Sequence, residues 1–531
     1  MDKKLIGSFY TPEVIADFVV DYLSSKLKGM NLTVLEPSAG DGIFIKSMLN
    51  HESLSGKIKE VLAVEREITE IDKIKNITDN DALKTINKDF LEFQKDNIKK
   101  FSLVIGNPPY IKKKLLEERQ ISLCEDIHAV FPSLSKNKIK NIWTAFLVRS
   151  ISFVDKSGVL ALVLPSELLQ VKFASELRAL LITEFERVEI FTFKELLFED
   201  CKGQDTIILI AERKSEEKGV FYCSIDKLIE LEKREFSLNQ NASIKETKWS
   251  HHHLSSDEFV LLETLKTNLK KINYYCSSKA GIVTAANSYF IVDSSKVKEY
   301  SLEKYVKPII QKGLFVNGSV VLNSEDFQLL VSESKPSYLI SLDKSIEIGE
   351  NDRINTYFQN GLDLDINKRY KTSIREKWYE VPNIGIPAEG FFFKRCNEYP
   401  KLIKNEANVL VTDSAYKIEM NKDYNINSLI YSFYNSLTLA FAELDGRYYG
   451  GGVLELTPNE FKNLPLPYVD INNIKFESFV KEFENKKSIK DILRLNDVKI
   501  LKSIDKGLNM DTINKLFQIR NKLFLRRIKA D

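Results

Sequence analysis

Short, nearly uninterrupted apolar runs, separated by helix-like segments, constrain the fold of the first 240 residues most strongly. The four clearest runs occupy positions 32–35, 61–64, 101–106 and 159–164. Strands that are apolar on both faces are typical of a parallel sheet covered by helices on both sides. Strands that alternate with helices in this way predict an α/β fold with a doubly wound sheet.

Polar or turn-forming residues follow three of these runs directly. Residues 36–42 (Glu-Pro-Ser-Ala-Gly-Asp-Gly) follow the first run, Glu65 follows the second, and residues 107–110 (Asn-Pro-Pro-Tyr) follow the third. In open α/β sheets, ligands bind outside the carboxyl ends of the strands. We therefore expect the three clusters to meet at one binding site.

The third cluster, Asn107-Pro108-Pro109-Tyr110, carries the most specific chemical signal. Its two prolines lack backbone N–H groups and stiffen the turn, so the Asn107 amide oxygen and the Pro108 carbonyl can be held outward as acceptors. The Tyr110 ring adds a flat face beside them. This set suits a planar group that bears an NH2, such as a nucleobase or a primary amide. Taken alone, the tetrapeptide fits a proline turn after a buried strand equally well.

Residues 36–42 predict an acidic turn rather than a phosphate-binding loop. Neither G-x-x-x-x-G-K-[ST] nor a complete G-x-G-x-x-G is present, and the two carboxylates would repel a pyrophosphate but attract an ammonium or sulfonium cation. Glu65 is suited to accept the two hydroxyls of a ribose. Asp89 offers an acceptor for an exocyclic amine, and Phe90 offers a ring edge for an adenine. Each residue alone is more often a helix cap or a surface acid, but their order along the chain favours a shared site.

The alternation of strand and helix patterns ends after about residue 245. Short strand-like pieces are scattered among Asn-, Ser- and Tyr-rich loops up to about residue 467, and the last stretch has a helical pattern. Lys plus Arg (77) nearly balances Asp plus Glu (75) over the chain, which excludes a uniformly basic coat. Residues 486–531 are locally basic, with 13 Lys or Arg against 5 Asp or Glu. This tail fits either a surface that tracks phosphates or a solvated helical surface.

Five motifs in this order resemble those of S-adenosylmethionine-dependent DNA adenine-N6 methyltransferases of the gamma class, which serve restriction–modification systems. They are Thr11-Pro12, residues 36–42, Glu65, Asp89-Phe90 and residues 107–110. Thr11-Pro12 also predicts the start of a helix, with Thr11 as its N-cap. The resemblance is close over about residues 7–215 and loose beyond. Pro37-Ser38-Ala39 contains less glycine than the family's usual motif, a conservative departure because Ser and Ala are small.

The resemblance implies a Rossmann-like, seven-stranded, doubly wound methyltransferase sheet within a catalytic domain (1–245). An α+β target-recognition domain (246–467) and a helical, basic C-terminal segment (468–531) would follow. The implied cofactor is S-adenosyl-L-methionine, which leaves as S-adenosyl-L-homocysteine, and no metal is expected. The implied catalytic residues are Asn107, Pro108, Tyr110 and Phe198, the last as an aromatic ring against the flipped base. The implied cofactor-binding residues are Thr11, Glu36, Pro37, Ser38, Ala39, Gly40, Asp41, Gly42, Glu65, Asp89, Phe90, Asn107 and Pro109.

The implied reaction is site-specific methyl transfer to N6 of a flipped-out adenine in double-stranded DNA. In the second domain, Asn287-Ser288-Tyr289 and residues 447–452 (Arg-Tyr-Tyr-Gly-Gly-Gly) are candidate DNA contacts. A strand turn and a glycine loop explain them equally well. We expect a monomer. A cognate restriction endonuclease could act on the same DNA site without forming a stable complex with it.

The cysteines and the longest apolar stretch indicate the cellular compartment of the protein. The five cysteines are dispersed and form no C-x-x-C pair, which is typical of reduced, intracellular thiols. The apolar stretch near 159–165 is far shorter than the ~20 residues of a membrane helix. We therefore expect a cytoplasmic protein without a membrane segment. The triplet His251-His252-His253 is interpreted as a solvated linker, because consecutive residues rarely converge on one metal ion.

Four alternatives remain at this point. A protein methyltransferase that modifies the N5 amide of glutamine faces the same chemical problem and also uses Asn-Pro-Pro-Tyr. Cytosine-N4 methylation is disfavoured by Asn rather than Ser at position 107. A DNA-binding module without turnover is disfavoured by the intact motifs. A fused nuclease is not expected, since no clear Asp…Glu-x-Lys constellation stands in a segment left over for one.

Overall fold

The computed structural model describes all residues except 1–9, 28, 30, 79–80, 94–98, 136–138, 194–205, 226, 241–248, 250–253, 317, 343–347, 351, 450–451, 506 and 529–531. The chain forms two compact units, Met1–Ser256 and Asp257–Asp531. The C-terminal segment 468–531 thus falls inside the second unit, and the other domain limits stay predictions. Across the described residues, no helix combines the length and the apolar character that a bilayer span requires.

The first unit is built on a nine-stranded, mostly parallel sheet. Its strands are β1 (Leu32–Pro37), β2 (Ile58–Glu65), β3 (Leu83–Asn87), β4 (Phe101–Gly106), β5 (Val154–Pro165), β6 (Arg187–Phe193), β7 (Thr206–Glu212), β8 (Gly219–Ile225) and β9 (Asn239–Gln240). They are ordered β3-β2-β1-β4-β5-β7-β6-β8-β9, and β7 runs antiparallel to both of its neighbours. The predicted seven-stranded, doubly wound sheet is confirmed, and β8 and β9 extend it at one edge.

Helices cover both faces of this sheet. They are α1 (Glu13–Ser24), α2 (Ile43–Asn50), α3 (Ile68–Lys75), α4 (Glu118–Ala129), α5 (Trp143–Phe153), α6 (Glu167–Gln170), α7 (Ser175–Glu184) and α8 (Ile229–Lys233). Leu103 and Ile105 of β4 share a core cluster with Val19 of α1, whereas Val104 shares the opposite cluster with Trp143 of α5. Both faces of β4 are thus removed from water, which explains the unbroken apolar run in its sequence.

The second unit mixes short strands and helices, as an α+β unit does. Its strands are β10 (Lys270–Lys271), β11 (Cys276–Ala280), β12 (Ile291–Val292), β13 (Val306–Ile310), β14 (Val321–Leu322), β15 (Tyr338–Ile340), β16 (Gly390–Phe393), β17 (Arg395–Cys396), β18 (Lys401–Asn405), β19 (Leu410–Val411), β20 (Ala415–Met420), β21 (Arg447–Tyr449), β22 (Val453–Glu455) and β23 (Pro465–Leu466). The two larger sheets have the orders β11-β20-β16-β18-β14 and β12-β15-β13-β19.

The helices of the second unit are α9 (Ser256–Thr267), α10 (Ile272–Tyr275), α11 (Asn287–Phe290), α12 (Ser294–Glu299), α13 (Ser324–Ser332), α14 (Ile354–Asp363), α15 (Tyr370–Ser373), α16 (Ile426–Phe433), α17 (Ser436–Asp445), α18 (Pro458–Asn463), α19 (Asn473–Glu484), α20 (Ile489–Ile504) and α21 (Met510–Ile528). The last three form the helical C-terminal region that the sequence predicts. The final helix α21 packs along α17.

Buried charges attach α21 to the rest of the second unit. The Arg527 Nε donates to Glu443 Oε2 of α17 at 2.7 Å, and both side chains are almost fully buried. Arg520 on the same helix is also buried and donates to the backbone carbonyl of Glu398 at 3.2 Å. Two basic residues of the tail therefore serve internal packing rather than phosphate binding, whereas Lys490 is exposed.

Asp497 of α20 holds the N-terminus of α17. Its two carboxyl oxygens accept from the Ser436 backbone N–H at 2.7 Å and from the Ser436 hydroxyl at 2.5 Å, and the side chain is buried. Burial raises the pKa of Asp497 to about 7, because the Ser436 bonds and Arg520 offset only part of the desolvation cost. In an unfolded chain the same carboxyl ionises near pH 4.

We expect Asp497→Asn to flatten the pH dependence of stability. The pKa of Asp497 is higher in the folded protein than in the unfolded chain, and this difference contributes up to about 4 kcal/mol to the free energy of unfolding. The contribution is fully present below about pH 4 and is lost as the pH rises to about 7. Asn stays neutral, accepts from the Ser436 N–H and donates to its hydroxyl. Urea unfolding of both proteins at about pH 5 and about pH 8 measures the difference. An identical pH response in the two proteins would contradict the expectation.

Candidate active site

The glycine turn after β1 is fixed by its backbone. Gly40 and Gly42 have φ angles of 54° and 79°, in the left-handed region that favours glycine. A Cβ on Gly42 would also lie 2.5 Å from the Cδ1 of Ile77. The Ala39 N–H donates to the Val64 carbonyl of β2 at 3.1 Å. The turn is therefore held against the neighbouring strand at the carboxyl edge of the sheet.

Glu65, the last residue of β2, ties this turn in place. Its Oε2 accepts from the Gly40 N–H at 2.9 Å, and its Oε1 accepts from the N–H groups of Arg66 at 2.7 Å and Glu67 at 2.9 Å. A carboxylate offers about four acceptor sites, so about one is left for a ligand. The sequence predicts an acceptor for two ribose hydroxyls, whereas in the structure most of this carboxylate joins the ends of β1 and β2.

Glu36 and Asp41 carry the other carboxyls of the turn. Glu36 is buried, and burial raises its pKa well above the usual range, with further increases from the nearby charges of Asp41 and Glu65. Burial also raises the pKa of Asp41, although the backbone N–H of Ile43 partly opposes this. A cation bound nearby would favour their ionised forms. The negative charge of the turn therefore depends on pH and on what is bound.

Asn107 follows β4, and its side chain is oriented by Thr11. The Asn107 Nδ2 donates to the Thr11 hydroxyl at 3.2 Å, so the amide oxygen lies at the opposite end of the planar group. The predicted N-cap role of Thr11 is not observed. Helix α1 begins at Glu13 with Pro12 as its N-cap, and the buried Thr11 hydroxyl accepts from Asn107.

Tyr110 lies mostly in the hydrophobic core of the first unit. Its side chain is 7% exposed, and its hydroxyl donates to the carbonyl of Val163 in β5 at 3.0 Å. Pro108 beside it is also buried. Any stacking surface that Tyr110 offers is therefore a small part of a ring held firmly by the sheet.

A cavity of about 260 Å³ opens at this edge of the sheet. Its lining includes the predicted residues Ser38, Gly40, Glu65, Asp89, Phe90, Asn107 and Pro109. The other predicted residues, Thr11, Glu36, Pro37, Ala39, Asp41, Gly42, Pro108 and Tyr110, do not line it, and they form its supporting turns. Phe198 lies outside the described residues. The three clusters that follow β1, β2 and β4 thus meet at one site, as their positions predicted.

Phe90 and Phe146 form an aromatic wall of this cavity, and Phe153 and Arg149 pack behind Phe90 without lining the cavity. The Phe90 ring centroid lies 5.3 Å from that of Phe146 and 5.6 Å from that of Phe153, and the Arg149 guanidinium lies 5.7 Å above it. The adjacent Asp89 accepts from the Leu91 N–H at 2.8 Å through Oδ1. Phe146 and Phe153 both lie on α5, the helix after Asn-Pro-Pro-Tyr. That position is the sequence signal that would have identified them.

Tyr10 is a second lining residue that sequence reasoning missed. Its ring lies beside Gly40, and the Lys73 Nζ lies 5.8 Å from its centroid. Desolvation and the neighbouring Glu70 raise the pKa of Tyr10. Its place immediately before Thr11-Pro12 was the only local signal for it.

The candidate DNA contacts of the second unit differ in exposure. Tyr289 is buried, and its hydroxyl donates to the Tyr357 carbonyl at 2.8 Å, so it serves the core. Arg447 pairs with Glu460 at 2.9 Å. Asn287 remains exposed, and Gly450 and Gly451 lie outside the described residues. Within the described ranges, no group of three or more His, Cys, Asp or Glu side chains is arranged to hold a metal ion; the His triplet is outside them.

Two family models match the chain in consecutive segments. "Eco57I restriction-modification methylase" matches residues 35–198, and "Type II methyltransferase M.Eco57I, C-terminal domain" matches residues 246–501. The first match contains every cavity-forming motif except Thr11. The second begins close to the predicted domain limit and extends into α20. Together the two matches span most of the chain.

Curated relatives agree with these models over nearly full lengths. The chain is 26% identical to type II methyltransferase M.AccI of Acinetobacter calcoaceticus over 86% of its own length and 84% of the relative. It is 19% identical to type II methyltransferase M.BstVI of Geobacillus stearothermophilus, over 79% and 82%. The solved DrdV–DNA complex has the same fold at a TM-score of 0.52 and 12% identity, over 90% of this chain and 57% of that one. The chain belongs to the family of Eco57I-type restriction–modification DNA methyltransferases.

Proposed function

We propose that the protein transfers a methyl group from S-adenosylmethionine to N6 of adenine in double-stranded DNA. The observation that carries this proposal is the Asn107 amide, whose NH2 end is bound to Thr11 at 3.2 Å beside the cavity. Together with the carbonyl of the following residue, Pro108, the Asn107 amide oxygen would form the acceptor pair that an exocyclic NH2 requires.

The cavity suits the proposed cofactor in its donor set and shape. The Phe90 edge and Phe146 provide an aromatic wall for an adenine, and Asp89 provides an acceptor for its amine. Glu65 keeps about one acceptor site for a ribose hydroxyl. The carboxyls of Glu36 and Asp41 favour a nearby ammonium and sulfonium. S-adenosylmethionine, when bound, supplies a methyl group activated by its positively charged sulfur.

The chain's own contribution to the reaction is orientation and electrostatics. The Asn107 oxygen and the Pro108 carbonyl accept the two N6 hydrogens of the target base. These bonds reduce delocalisation of the nitrogen lone pair into the ring and aim it at the methyl group. Fixed acceptors in a water-poor site cost no reorganisation at the moment of reaction. Thr11 acts as a positioning residue because it orients Asn107.

The target adenine must leave the duplex stack to reach these acceptors, at a cost of a few kcal/mol. Stacking on an aromatic side chain returns about 1–3 kcal/mol per base. We propose that the exposed part of Tyr110, together with Phe198, supplies this stacking. The enzyme would act as a cytoplasmic monomer, beside a cognate endonuclease that cleaves the same site without a stable complex.

We expect Tyr110→Leu to reduce base flipping more than folding. Leu keeps the core filled but removes the aromatic face, whereas Ala would leave a cavity that costs about 3–5 kcal/mol. The measurement is the fluorescence rise of 2-aminopurine placed at the modified position when the protein binds. Tyr110→Phe is the matched control, since it keeps the ring and removes the hydroxyl that donates to Val163. A full fluorescence rise with Leu would refute the stacking role.

Tritium transfer from labelled S-adenosylmethionine to unmethylated genomic DNA, followed by nucleoside analysis, tests the proposed function. Label in N6-methyladenine supports it, and sequencing the marks gives the recognised site. Label in N4-methylcytosine would correct the base. Label in glutamine of a protein substrate, with none in DNA, would replace the proposal with the amide-methyltransferase alternative.

A further inference from the structure

A cleft of about 500 Å³ in the second unit lies apart from every residue assigned above except Asn287. It is lined by the loop 283–287 and by Arg369, Tyr370, Lys371 and Asp413. Residues 370–373 form the short helix α15. No motif in the sequence pointed to positions 369–371, and the topology of the unit brings them to the loop.

The loop side of this cleft has a preset shape. The Arg375 Nη2 donates to the Thr284 carbonyl at 2.8 Å, and the Thr284 hydroxyl donates to the Asn287 Oδ1. Ala285 has a φ of 71°, a costly conformation that persists only where the surroundings impose it. Because the Asn287 oxygen is used within the loop, its NH2 end is directed away as a hydrogen-bond donor.

The opposite side presents an exposed aromatic ring between two cations. Tyr370 is 80% exposed, and Arg369 and Lys371 beside it are exposed as well. Thr372 beneath them is fully buried, and its hydroxyl donates to the Arg369 carbonyl at 2.9 Å. The chain therefore holds the backbone firmly while it directs these three side chains into solvent.

We propose that this cleft is a DNA-binding surface, in which Arg369, Lys371 and the Tyr370 hydroxyl contact the phosphate backbone. The inference rests on the proposed function insofar as duplex DNA is the substrate. Cations fix a protein on the phosphate backbone of a duplex, and tyrosine hydroxyls donate to the same phosphate and sugar oxygens. The Asn287 NH2 adds a donor for an acceptor on a base edge.

The cleft also contains one acidic group. Asp413 lines the same cavity, and its N–H donates to the Ile282 carbonyl at 2.9 Å, which fixes its backbone. This carboxylate would repel phosphates and acidic side chains alike, so we expect the phosphates to lie on the side of Arg369 and Lys371. It can accept from the exocyclic amine of a base instead.

Fluorescence anisotropy of a labelled, random-sequence duplex, titrated with the full chain over a series of salt concentrations, tests the inference. Each phosphate contact contributes roughly 0.9 to the slope of log affinity against log salt concentration. Arg369→Ala/Lys371→Ala should therefore lower the slope by roughly 2. Tyr370→Phe removes only a neutral donor to the backbone and should weaken binding roughly tenfold at constant slope.

The matched control is Lys296→Ala/Lys298→Ala, which removes two exposed cations from α12 of the same unit and outside the cleft. An equal drop in slope with this control would overturn the inference, because the effect would then reflect net charge. Unchanged DNA binding by the cleft variants would also overturn it. So would displacement of the duplex by poly-glutamate from the wild-type protein but not from Arg369→Ala/Lys371→Ala, which would indicate an acidic-peptide site.

This binding test uses neither cofactor nor turnover, so it is independent of the methylation assay. If DNA accepts no methyl group but the cleft variants lose duplex affinity, the proposed function fails and the DNA-binding surface stands. If adenine is methylated and the cleft variants bind and methylate DNA as the wild type does, the proposed function stands and the surface is refuted.

Discussion

Replacing Asn107 with Ala should lower methyl transfer to DNA by roughly a hundredfold to a thousandfold. The variant loses the acceptor that fixes the NH2 of the target, and removal of one such preorganised group typically has an effect of this size. Cofactor affinity should change far less, because Asn107 is one of many lining residues of the cavity. Single-turnover transfer of labelled methyl groups and calorimetric titration with S-adenosylmethionine measure the two quantities separately.

Thr11 provides the matched comparison for this prediction. Thr11→Val keeps the shape of the side chain but removes the hydroxyl that accepts from the Asn107 Nδ2. Its loss of rate should be smaller than that of Asn107→Ala, and Thr11→Ser should recover part of it. Turnover by Asn107→Ala at a level comparable to the wild type would refute the mechanism.

Replacing Glu65 with Ala should weaken S-adenosylmethionine binding by roughly tenfold to a hundredfold. The substitution removes a ligand acceptor and leaves the N–H groups of Gly40, Arg66 and Glu67 without their carboxylate partner. Hydrogen bonds to charged groups contribute about 1.5–3 kcal/mol each, so the turn should lose its fixed position. Calorimetric titration gives the affinity, and thermal unfolding reports the accompanying loss of stability.

Glu52→Ala is the control for the change in net charge, because Glu52 is exposed and does not line the cavity. It should bind S-adenosylmethionine as the wild type does. If Glu65→Ala did so too, the acidic turn would have no role in cofactor binding, and the cavity would need another ligand.

The sequence predicted the sheet and the site where the polar clusters after its strands come together. Both predictions follow from the pattern of apolar and polar residues along short segments. Apolar runs such as 101–106 report burial on both faces, and parallel strands bring their carboxyl ends to the same edge. The local sequence pattern could not predict which residue of each cluster faces the cavity. Glu36 and Tyr110 are buried by long-range packing, and Thr11 turns from the predicted N-cap to Asn107. Such choices depend on residues distant in the chain.

The second unit was less predictable because its strands are short and its contacts non-local. Of the candidate DNA contacts, Tyr289 proves to be a core residue, whereas Arg447 is partly exposed and pairs with Glu460, so its DNA contact stays a prediction. Conversely, Tyr370 lies in an ordinary polar stretch, and only the fold brings it opposite the loop 283–287. Residue type alone did not separate a buried tyrosine from an exposed one.

The buried pair between Arg527 and Glu443 limits how this protein can be recombined with relatives. A chimera that exchanges the unit beginning at Asp257 must carry the donor's chain through the end of α21. If the exchange stopped before α21, this chain's Arg527 would remain without Glu443, and an uncompensated charge in the interior costs about 3–5 kcal/mol. Exchanges of the second unit should therefore treat the last helix as inseparable from it.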